Sequence, residues 1–317
     1  MKNNQIYFKL IITLVSFISC ISCDSDSIDD YSLLTIARNG SIYNLGNNSG
    51  NFTLIGQMEL QNNSFSIELN SPTLIQNKIY AIEFIDTSQD SRNNLLVYDL
   101  ESNQSESVEL IIPNSIPGEE RAIVSLIANG DNLIGILKES TFFSSLPKHL
   151  IKINLETFEV TEILTFELNE SITSMLKIDS NIYITSWSEG SLQIDLNNNL
   201  VSEFKLNNNP VNGSRLSKIN NTEFAFMEAN PNGFSATPVL LNISNESMIY
   251  KSNNRYYELA NLMGNSFVKN NLYFNLIIGD DLQHYILKSN YQTNENTIIK
   301  TNSIGIDPNM VILDIIE

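Results

Sequence analysis

Apolar and polar residues alternate along most of the chain, in short segments that end at an Asp or Asn and a polar turn. Alternation with a period of two, in segments rich in β-branched and aromatic residues, is typical of β-strands. One such pattern recurs six times, at intervals of about 40 to 55 residues. Its copies are residues 42–46, 97–101, 152–156, 193–197, 241–244 and, in a degenerate form, 285–289.

Each copy of this pattern has further strand candidates on both sides. Apolar runs precede it at 33–37, 78–84, 132–137, 181–187, 223–227 and 271–277. Others follow it at 52–55, 107–111, 160–164, 201–206, 246–250 and 297–300. A fourth run opens several units, as at 122–127 and 172–178. Asn, Ser, Gly and Asp separate the segments, which favours turns between strands over helices.

Four short strands per unit, repeated six times, predict an all-β protein with a six-bladed β-propeller fold over residues 32–317. The first unit lacks its opening strand, and the chain ends on an additional one at residues 310–316. We expect this last strand to complete the first blade, which would close the ring and leave no sheet edge open. A β-solenoid or a two-domain β-sandwich is the alternative, although unequal repeat lengths count against the solenoid.

Composition and charge narrow the classes of function. The chain has 317 residues, of which 42% are hydrophobic, enough for the core of one large domain, which we expect to be monomeric. Its formal net charge of −18 repels a phosphate backbone, and no cluster of Lys or Arg offsets it, so nucleic acid is not an expected partner. Both cysteines lie near the N-terminus, so the folded domain is expected to hold neither a thiol nor a disulfide.

Residues 1–22 have the features of an export signal. Two lysines precede a short apolar run at 10–18, which is shorter than the ~20 residues of a membrane span. The Ser-Cys pair that follows looks like a bacterial lipobox, which implies lipid attachment at Cys23, after which residues 23–31 form an acidic, Ser-rich tether. Cys20 is the rival attachment site, and an uncleaved signal anchor or an ordinary secreted protein is the alternative.

The apolar run, the Ser22-Cys23 pair and the acidic tether together resemble the lipoproteins of the Bacteroidota. In that group an acidic stretch after the lipidated cysteine is associated with export to the outer face of the outer membrane. The resemblance implies a palmitate-bearing outer-membrane protein that contacts the membrane through its N-terminal lipid. Asp26-Ser27-Ile28 also looks like the O-glycosylation acceptor of that group, which implies a glycan on Ser27. The repeats resemble, in pattern only, six-bladed propeller lipoproteins.

Long loops on one face are the best indication of a binding site. In a propeller, the loop between the second and third strands of a blade opens on the same face as the crossover between blades. Such loops are long at 85–94, 139–148 and 229–237, as is the crossover at 113–121. Aromatic rings near Asp, Asn and Arg suit a sugar or a peptide. The predicted ligand-binding face comprises Asp86, Asp90, Arg92, Arg121, Phe142, Phe143, Trp187, Glu189 and Phe234. Packing within their own loop is the alternative for Phe142 and Phe143, and a core position for Trp187.

No residue is predicted to be catalytic. His149 and His284 lack a second His, Cys or patterned carboxylate at ligand spacing, so zinc is not expected and both are interpreted as strand-edge surface residues. Acids in the loops make calcium the one cofactor to consider, although no Asp-x-Asp-x-Asp-Gly loop supplies its ligands locally.

The sequence therefore favours a lipid-anchored binding or scaffold protein of the cell envelope, whose loop-rich face engages a glycan, a peptide or an envelope protein. The alternative is a propeller hydrolase or lyase that uses loop carboxylates, with or without calcium.

Overall fold

The structure of the protein is a computed structural model. It describes residues 31–60, 72–87, 90–117, 121–139, 147–168, 172–186, 190–206, 209–229, 235–252, 256–257, 267–278, 283–302 and 310–316. Every regular element in these ranges is a β-strand. Accordingly, none of the described segments is a helix long and apolar enough to cross a membrane.

The strands are short and follow one another closely. In chain order they are β1 (Ser32–Ala37), β2 (Ser41–Gly46), β3 (Phe52–Gln57), β4 (Thr73–Ile75), β5 (Lys78–Thr87), β6 (Asp90–Asp99), β7 (Gln104–Leu110), β8 (Arg121–Asn129), β9 (Asn132–Glu139), β10 (Lys148–Asn154), β11 (Val160–Phe166), β12 (Ile172–Ile178), β13 (Asn181–Ser186), β14 (Ser191–Asp195), β15 (Leu200–Leu206), β16 (Asn209–Pro210), β17 (Gly213–Lys218), β18 (Glu223–Ala229), β19 (Ser235–Asn242), β20 (Ser247–Lys251), β21 (Tyr256–Tyr257), β22 (Phe267–Lys269), β23 (Leu272–Ile278), β24 (His284–Asn290), β25 (Glu295–Lys300) and β26 (Met310–Ile316).

These strands pair into six antiparallel sheets, the blades. From the innermost strand outward the blades are β26-β1-β2-β3, β4-β5-β6-β7, β8-β9-β10-β11, β12-β13-β14-β15-β16, β17-β18-β19-β20 with β21 on the end of β19, and β22-β23-β24-β25. They are numbered 1 to 6 in this order.

The six blades close into a ring. Each innermost strand contacts the innermost strand of the next blade, from β4 through β8, β12, β17 and β22, and β26 contacts both β22 and β4. The strand β26 pairs with β1 in register from Ser32↔Ile316 to Ala37↔Met310, so the C-terminal strand completes blade 1. The predicted six-bladed propeller and its closure are confirmed, and the solenoid and two-domain sandwich are excluded.

The core is divided among the six junctions between neighbouring blades, with one apolar cluster at each. Successive residues of a strand point to opposite faces of its sheet. On β9, for example, Leu133 and Leu137 pack toward blade 2, whereas Ile134 and Ile136 pack toward blade 4. Because both faces of these strands are buried, their sequences are almost continuously apolar.

The recurring Asp or Asn of the repeat stabilises the turn between the third and fourth strands of a blade. The side-chain oxygens of Asp99, Asn154, Asp195 and Asn242 each accept backbone N–H groups from the residues two and three positions on. This is the Asx-turn geometry, which offers the backbone a local hydrogen-bond acceptor.

In blades 1 and 6 the turn after the third strand differs from the turn that the sequence repeat predicts. In blade 6 the residue that caps the turn is Asn290, just beyond the degenerate copy at 285–289. In blade 1 the turn begins at Gly46 rather than at Asn44, and Gly50 takes the left-handed conformation four residues later, with a φ of 68°. Glycine adopts this conformation without steric cost, so no side-chain cap is needed.

One predicted loop is wrong. Residues 85–94 were expected to form a long loop, but β5 and β6 pair up to Thr87↔Asp90, so Asp86 and Asp90 lie on strands of a tight hairpin. The hairpin continues into polar sequence, where apolar and polar residues no longer alternate. The sequence pattern therefore gives no sign of these parts of the two strands. Beyond the buried junctions between blades, backbone hydrogen bonds can pair two strands whose side chains are polar.

Because β26 closes the ring of blades, we expect Ile312→Ala to destabilise the protein strongly. Ile312 is 2% exposed and packs in the cluster between blades 6 and 1, so truncation should lower the free energy of unfolding by about 2–5 kcal/mol. Ile316→Ala, on the same strand but 36% exposed, should change it by less than about 0.5 kcal/mol. Urea denaturation compares the two variants, and equal effects would contradict the role assigned to β26.

Candidate functional site

A cleft lies at the junction of blades 2 and 3, where the chain crosses from β7 to β8. Its volume is about 240 Å³. It is lined by Pro117, Arg121, Leu137, Lys138, Glu139, Pro147, His149, Glu162 and Thr165. The lining therefore combines ends of all four strands of blade 3 with the crossover that enters it.

The apolar part of the lining continues the core of the junction. Leu137 is fully buried and belongs to the cluster between blades 2 and 3, and Pro117 and Pro147 add rigid, uncharged surface beside it. A wall of this kind excludes water from one side of a bound group and leaves the polar side chains to determine its orientation.

Three polar side chains of β10 and β11 form a hydrogen-bonded cluster in the cleft. The Nδ1 atom of His149 lies 2.7 Å from Oε1 of Glu162, and the hydroxyl of Thr165 donates to the same Oε1 over 2.8 Å. The Thr165 hydroxyl oxygen also lies 3.2 Å from His149 Nδ1. His149 is 6% exposed, whereas the side chain of Glu162 is 31% exposed, so the carboxylate stands at the rim of the cleft.

A β-bulge brings these three side chains together. Glu162 and Thr165 are three residues apart and would face opposite sides of a regular strand. In the β10–β11 ladder, however, His149 pairs with Thr165 and Ile151 pairs with Glu162, because the register shifts between Leu150 and Ile151. The additional residue places Glu162 and Thr165 on the face that carries His149.

The cluster also determines where the proton of the imidazole lies. The hydrogen bond from His149, reinforced by Thr165 and partly opposed by burial, lowers the pKa of the Glu162 carboxyl, so Glu162 is ionised at neutral pH. An ionised oxygen only accepts hydrogen bonds, so Nδ1 of His149 carries the hydrogen of the short contact. In the neutral imidazole Nε2 then offers a lone pair, and no described residue bonds to Nε2.

Arg121 is fixed at both ends. Its backbone oxygen accepts a hydrogen bond from Nδ2 of Asn93 at 2.7 Å, which links blade 3 to blade 2. Its guanidinium donates through Nη1 to the backbone oxygens of Pro113 at 2.9 Å and Ile116 at 2.6 Å. Both acceptors are neutral carbonyls, and no carboxylate of the described residues forms an ion pair with Arg121.

Arg92, on the neighbouring blade, has a different environment. Its Nη1 atom lies 3.7 Å from Oε2 of Glu109, with both side chains about half exposed. Within the part of the chain that the structure describes, the two arginines of the predicted face thus differ, because a carboxylate partly neutralises the charge of Arg92 and none is paired with Arg121.

The structure describes only part of the predicted site. Arg121 lines the cleft and Arg92 lies on the next blade, while Asp86 and Asp90 are placed only as strand positions. Outside the described residues lie Phe142, Phe143, Trp187, Glu189, Phe234, Cys23 and Ser27. Within the described ranges no group of three or more His, Cys, Asp or Glu side chains is arranged to hold a metal ion.

His149, Glu162 and Thr165 were missed by sequence reasoning, and the interpretation of both histidines as surface residues is wrong. His284 is only 2% exposed, with the ring of Phe52 edge-on at 6.0 Å. A signal for Glu162 does exist, because folding the segment about the turn that starts at Asn154 sets Glu162 opposite Ile151, on the strand face that carries His149. Thr165 could not be placed in this way, since it lies opposite His149 only because of the bulge.

Comparison with known proteins shows the fold. Neither a known protein family nor a curated protein matches the sequence. The puromycin-hydrolyzing peptidase of Mycobacterium tuberculosis matches with a TM-score of 0.52 and 10% identity, over 83% of this chain and 42% of that one. A puromycin hydrolase matches with a TM-score of 0.50 and 11% identity, over 85% of this chain and 43% of that one. An oligogalacturonate lyase in complex with manganese matches with a TM-score of 0.51 and 13% identity, over 83% of this chain and 74% of that one. The chain thus spans about two fifths of the length of the first two proteins.

The low pKa of Glu162 predicts a pH-dependent contribution to stability. Its pKa in the folded protein lies below the ordinary 4.5, so the carboxylate stabilises the fold above about pH 4.5 and loses this effect as pH falls through the folded-state value. Glu162→Gln should therefore lower the free energy of unfolding at pH 7 by about 0.5–1 kcal/mol, since the side chain is partly exposed.

Urea denaturation at pH 7 and at pH 3 measures this difference, which should shrink at the lower pH. In a His149→Gln background the same substitution should have little effect, because the main cause of the pKa shift is removed. A difference between Glu162 and Gln that is independent of pH would contradict the assignment.

Proposed function

We propose that this protein is a lipid-anchored, ligand-binding propeller of the cell envelope, which binds its ligand in the cleft between blades 2 and 3. The observation that carries the proposal is the polar arrangement over an apolar wall. Arg121 has no carboxylate partner among the described residues, and His149 is oriented by Glu162. A few positioned polar groups on an otherwise apolar lining are the usual composition of a small-ligand site.

The predicted face extends this cleft toward a larger partner. Phe142 and Phe143 belong to the segment that joins Glu139 to Pro147, and both of these residues line the cleft. We propose that the two aromatic rings contact the part of the ligand that projects from the cleft. Arg92 and the predicted positions on other blades would then contact an extended glycan, a peptide or an envelope protein.

The location of the protein is proposed from its N-terminal sequence. Cys23 would carry the lipid, and the acidic tether at residues 23–31, with a glycan on Ser27, would hold the propeller away from the outer membrane. The formal charge of −18 is compatible with this position, because it disfavours adsorption of the domain to an anionic surface.

The hydrogen bonds within the cleft favour binding over catalysis. The Thr165 hydroxyl and His149 Nδ1 both bond to one oxygen of Glu162, so the hydroxyl is not aligned with the imidazole as a nucleophile would be. The described part of the cleft therefore presents a fixed acceptor and a fixed cation, both of which suit recognition.

A hydrolase or lyase is the second candidate, and one observation favours it. Glu162 holds His149 in the tautomer that leaves Nε2 unprotonated, which is the form of a general base. Turnover of a bound ligand that is lost in His149→Gln, while binding persists, would support this candidate.

A thermal melt with defined probes tests the binding function. The probes are peptidoglycan fragments, acidic and neutral monosaccharides, short peptides and calcium against EDTA. A ligand at 100 times its dissociation constant should stabilise the protein by about 2.7 kcal/mol, enough to raise the melting temperature by a few degrees. Thr165→Tyr, which fills the cleft from its rim, should abolish the shift.

Glu167→Tyr is the matched control, because it introduces the same tyrosine ring two residues along the chain at an exposed position outside the lining. It should keep the full shift. A shift that survives in Thr165→Tyr would locate binding elsewhere and contradict the proposal.

Metabolic labelling with radioactive palmitate tests the anchor. We expect label on the wild-type protein and on Cys20→Ala, and none on Cys23→Ala, because only the thiol at the attachment site receives the lipid. Label retained in Cys23→Ala but lost in Cys20→Ala would show that the rival cysteine is the anchor.

A further inference from the structure

The charge of Arg121 is the feature of the cleft that most restricts the ligand. Among the described residues the guanidinium bonds only to two backbone carbonyls of the crossover, and Lys138 adds a second cation to the lining. Carbonyl groups fix the orientation of a guanidinium but leave its positive charge unbalanced. A carboxylate, like a phosphate, matches the planar donor fork of arginine.

The acids in the lining do not supply that carboxylate. Glu162 accepts two hydrogen bonds at Oε1 from His149 and Thr165. The β8–β9 register sets Glu139 opposite Arg121, yet no ion pair joins these two described residues. Both carboxylates, and Nε2 of His149 in the neutral imidazole, are hydrogen-bond acceptors, so a matching ligand brings hydrogen-bond donors in addition to one anionic group.

We infer that the cleft binds the carboxylate-bearing ring of an acidic sugar, a hexuronate. This inference rests on the proposed function, because it names the ligand class of the same cleft. The carboxylate would pair with Arg121, ring hydroxyls would donate to His149 Nε2 and Glu139, and the C–H face of the ring would pack on Leu137 and the two prolines. A volume of about 240 Å³ suits one such ring and not an oligosaccharide.

A peptide fits the same groups less well. The side chain of an acidic amino acid has a carboxylate but no hydroxyl, so donors to both His149 and Glu139 would have to come from backbone N–H groups, whose positions along the peptide are fixed. A buried acceptor left without a partner costs about 1–3 kcal/mol, which is about 5-fold to 150-fold in affinity. A sugar acid supplies donors to both.

Ligand-observed NMR titrations of the purified protein test the inference with four probes. These are D-glucuronate, D-galacturonate, neutral D-galactose and acetate. At least one uronate should bind at least tenfold more tightly than galactose, which lacks the carboxylate, and than acetate, which lacks the hydroxyls. In Arg121→Gln that uronate should lose at least tenfold in affinity, while in Lys152→Gln, which removes an exposed cation of blade 3 outside the lining, its affinity should stay within twofold of wild type.

The comparison of uronate with galactose needs no variant, so it holds even if Arg121→Gln loosens the crossover, which its melting temperature reports. Equal binding of galactose and the uronates, or tighter binding of an N-acetylated Glu peptide, would overturn the hexuronate inference while leaving a ligand-binding cleft. The hexuronate inference would also be overturned if neither uronate binds when it is present at millimolar concentration and in 20-fold excess over the protein. In that case the melt with the wider set of probes decides the proposed function separately.

Discussion

The pairing of β26 with β1 is the constraint on which the rest of the structure depends. A propeller blade buries its two faces against two neighbours, so a ring that stays open would expose two apolar sheet faces at once. Residues of β26 divide between two clusters, with Met310 and Ile312 toward blade 6 and Val311 and Leu313 toward blade 2. The last strand in the sequence therefore completes the first blade and two of the six junctions together, which couples the ends of the chain.

The cleft is a consequence of how two blades meet. Blades 2 and 3 share an apolar cluster, and beyond its end the crossover at Pro113–Ile116 is held by Arg121, whose backbone is in turn held by Asn93 of blade 2. The bulge of β11 then places Thr165 opposite His149, on the face that carries Glu162. A rigid ring thus supplies fixed positions, while one irregular register and one buried polar link supply the chemistry.

The sequence predicts the architecture well and the cleft poorly, for a physical reason. Strand positions and blade number follow from alternation and from turn residues such as Asp99 and Asn154, which act locally. Asn290 was missed because the degenerate last copy matches a strand and not the turn after it. The cleft combines Arg121 with Glu162 and Thr165 from different strands, and a bulge determines that Thr165 lies opposite His149. A two-residue periodicity carries no information about such a shift.

The most direct test is a crystal structure of the protein soaked with whichever of D-glucuronate and D-galacturonate binds more tightly. We predict the sugar in the cleft between blades 2 and 3, with its carboxylate oxygens about 2.7–3.2 Å from the guanidinium nitrogens of Arg121 and a ring hydroxyl at His149 Nε2. A sugar bound elsewhere on the propeller, or one whose carboxylate points away from Arg121, would contradict it.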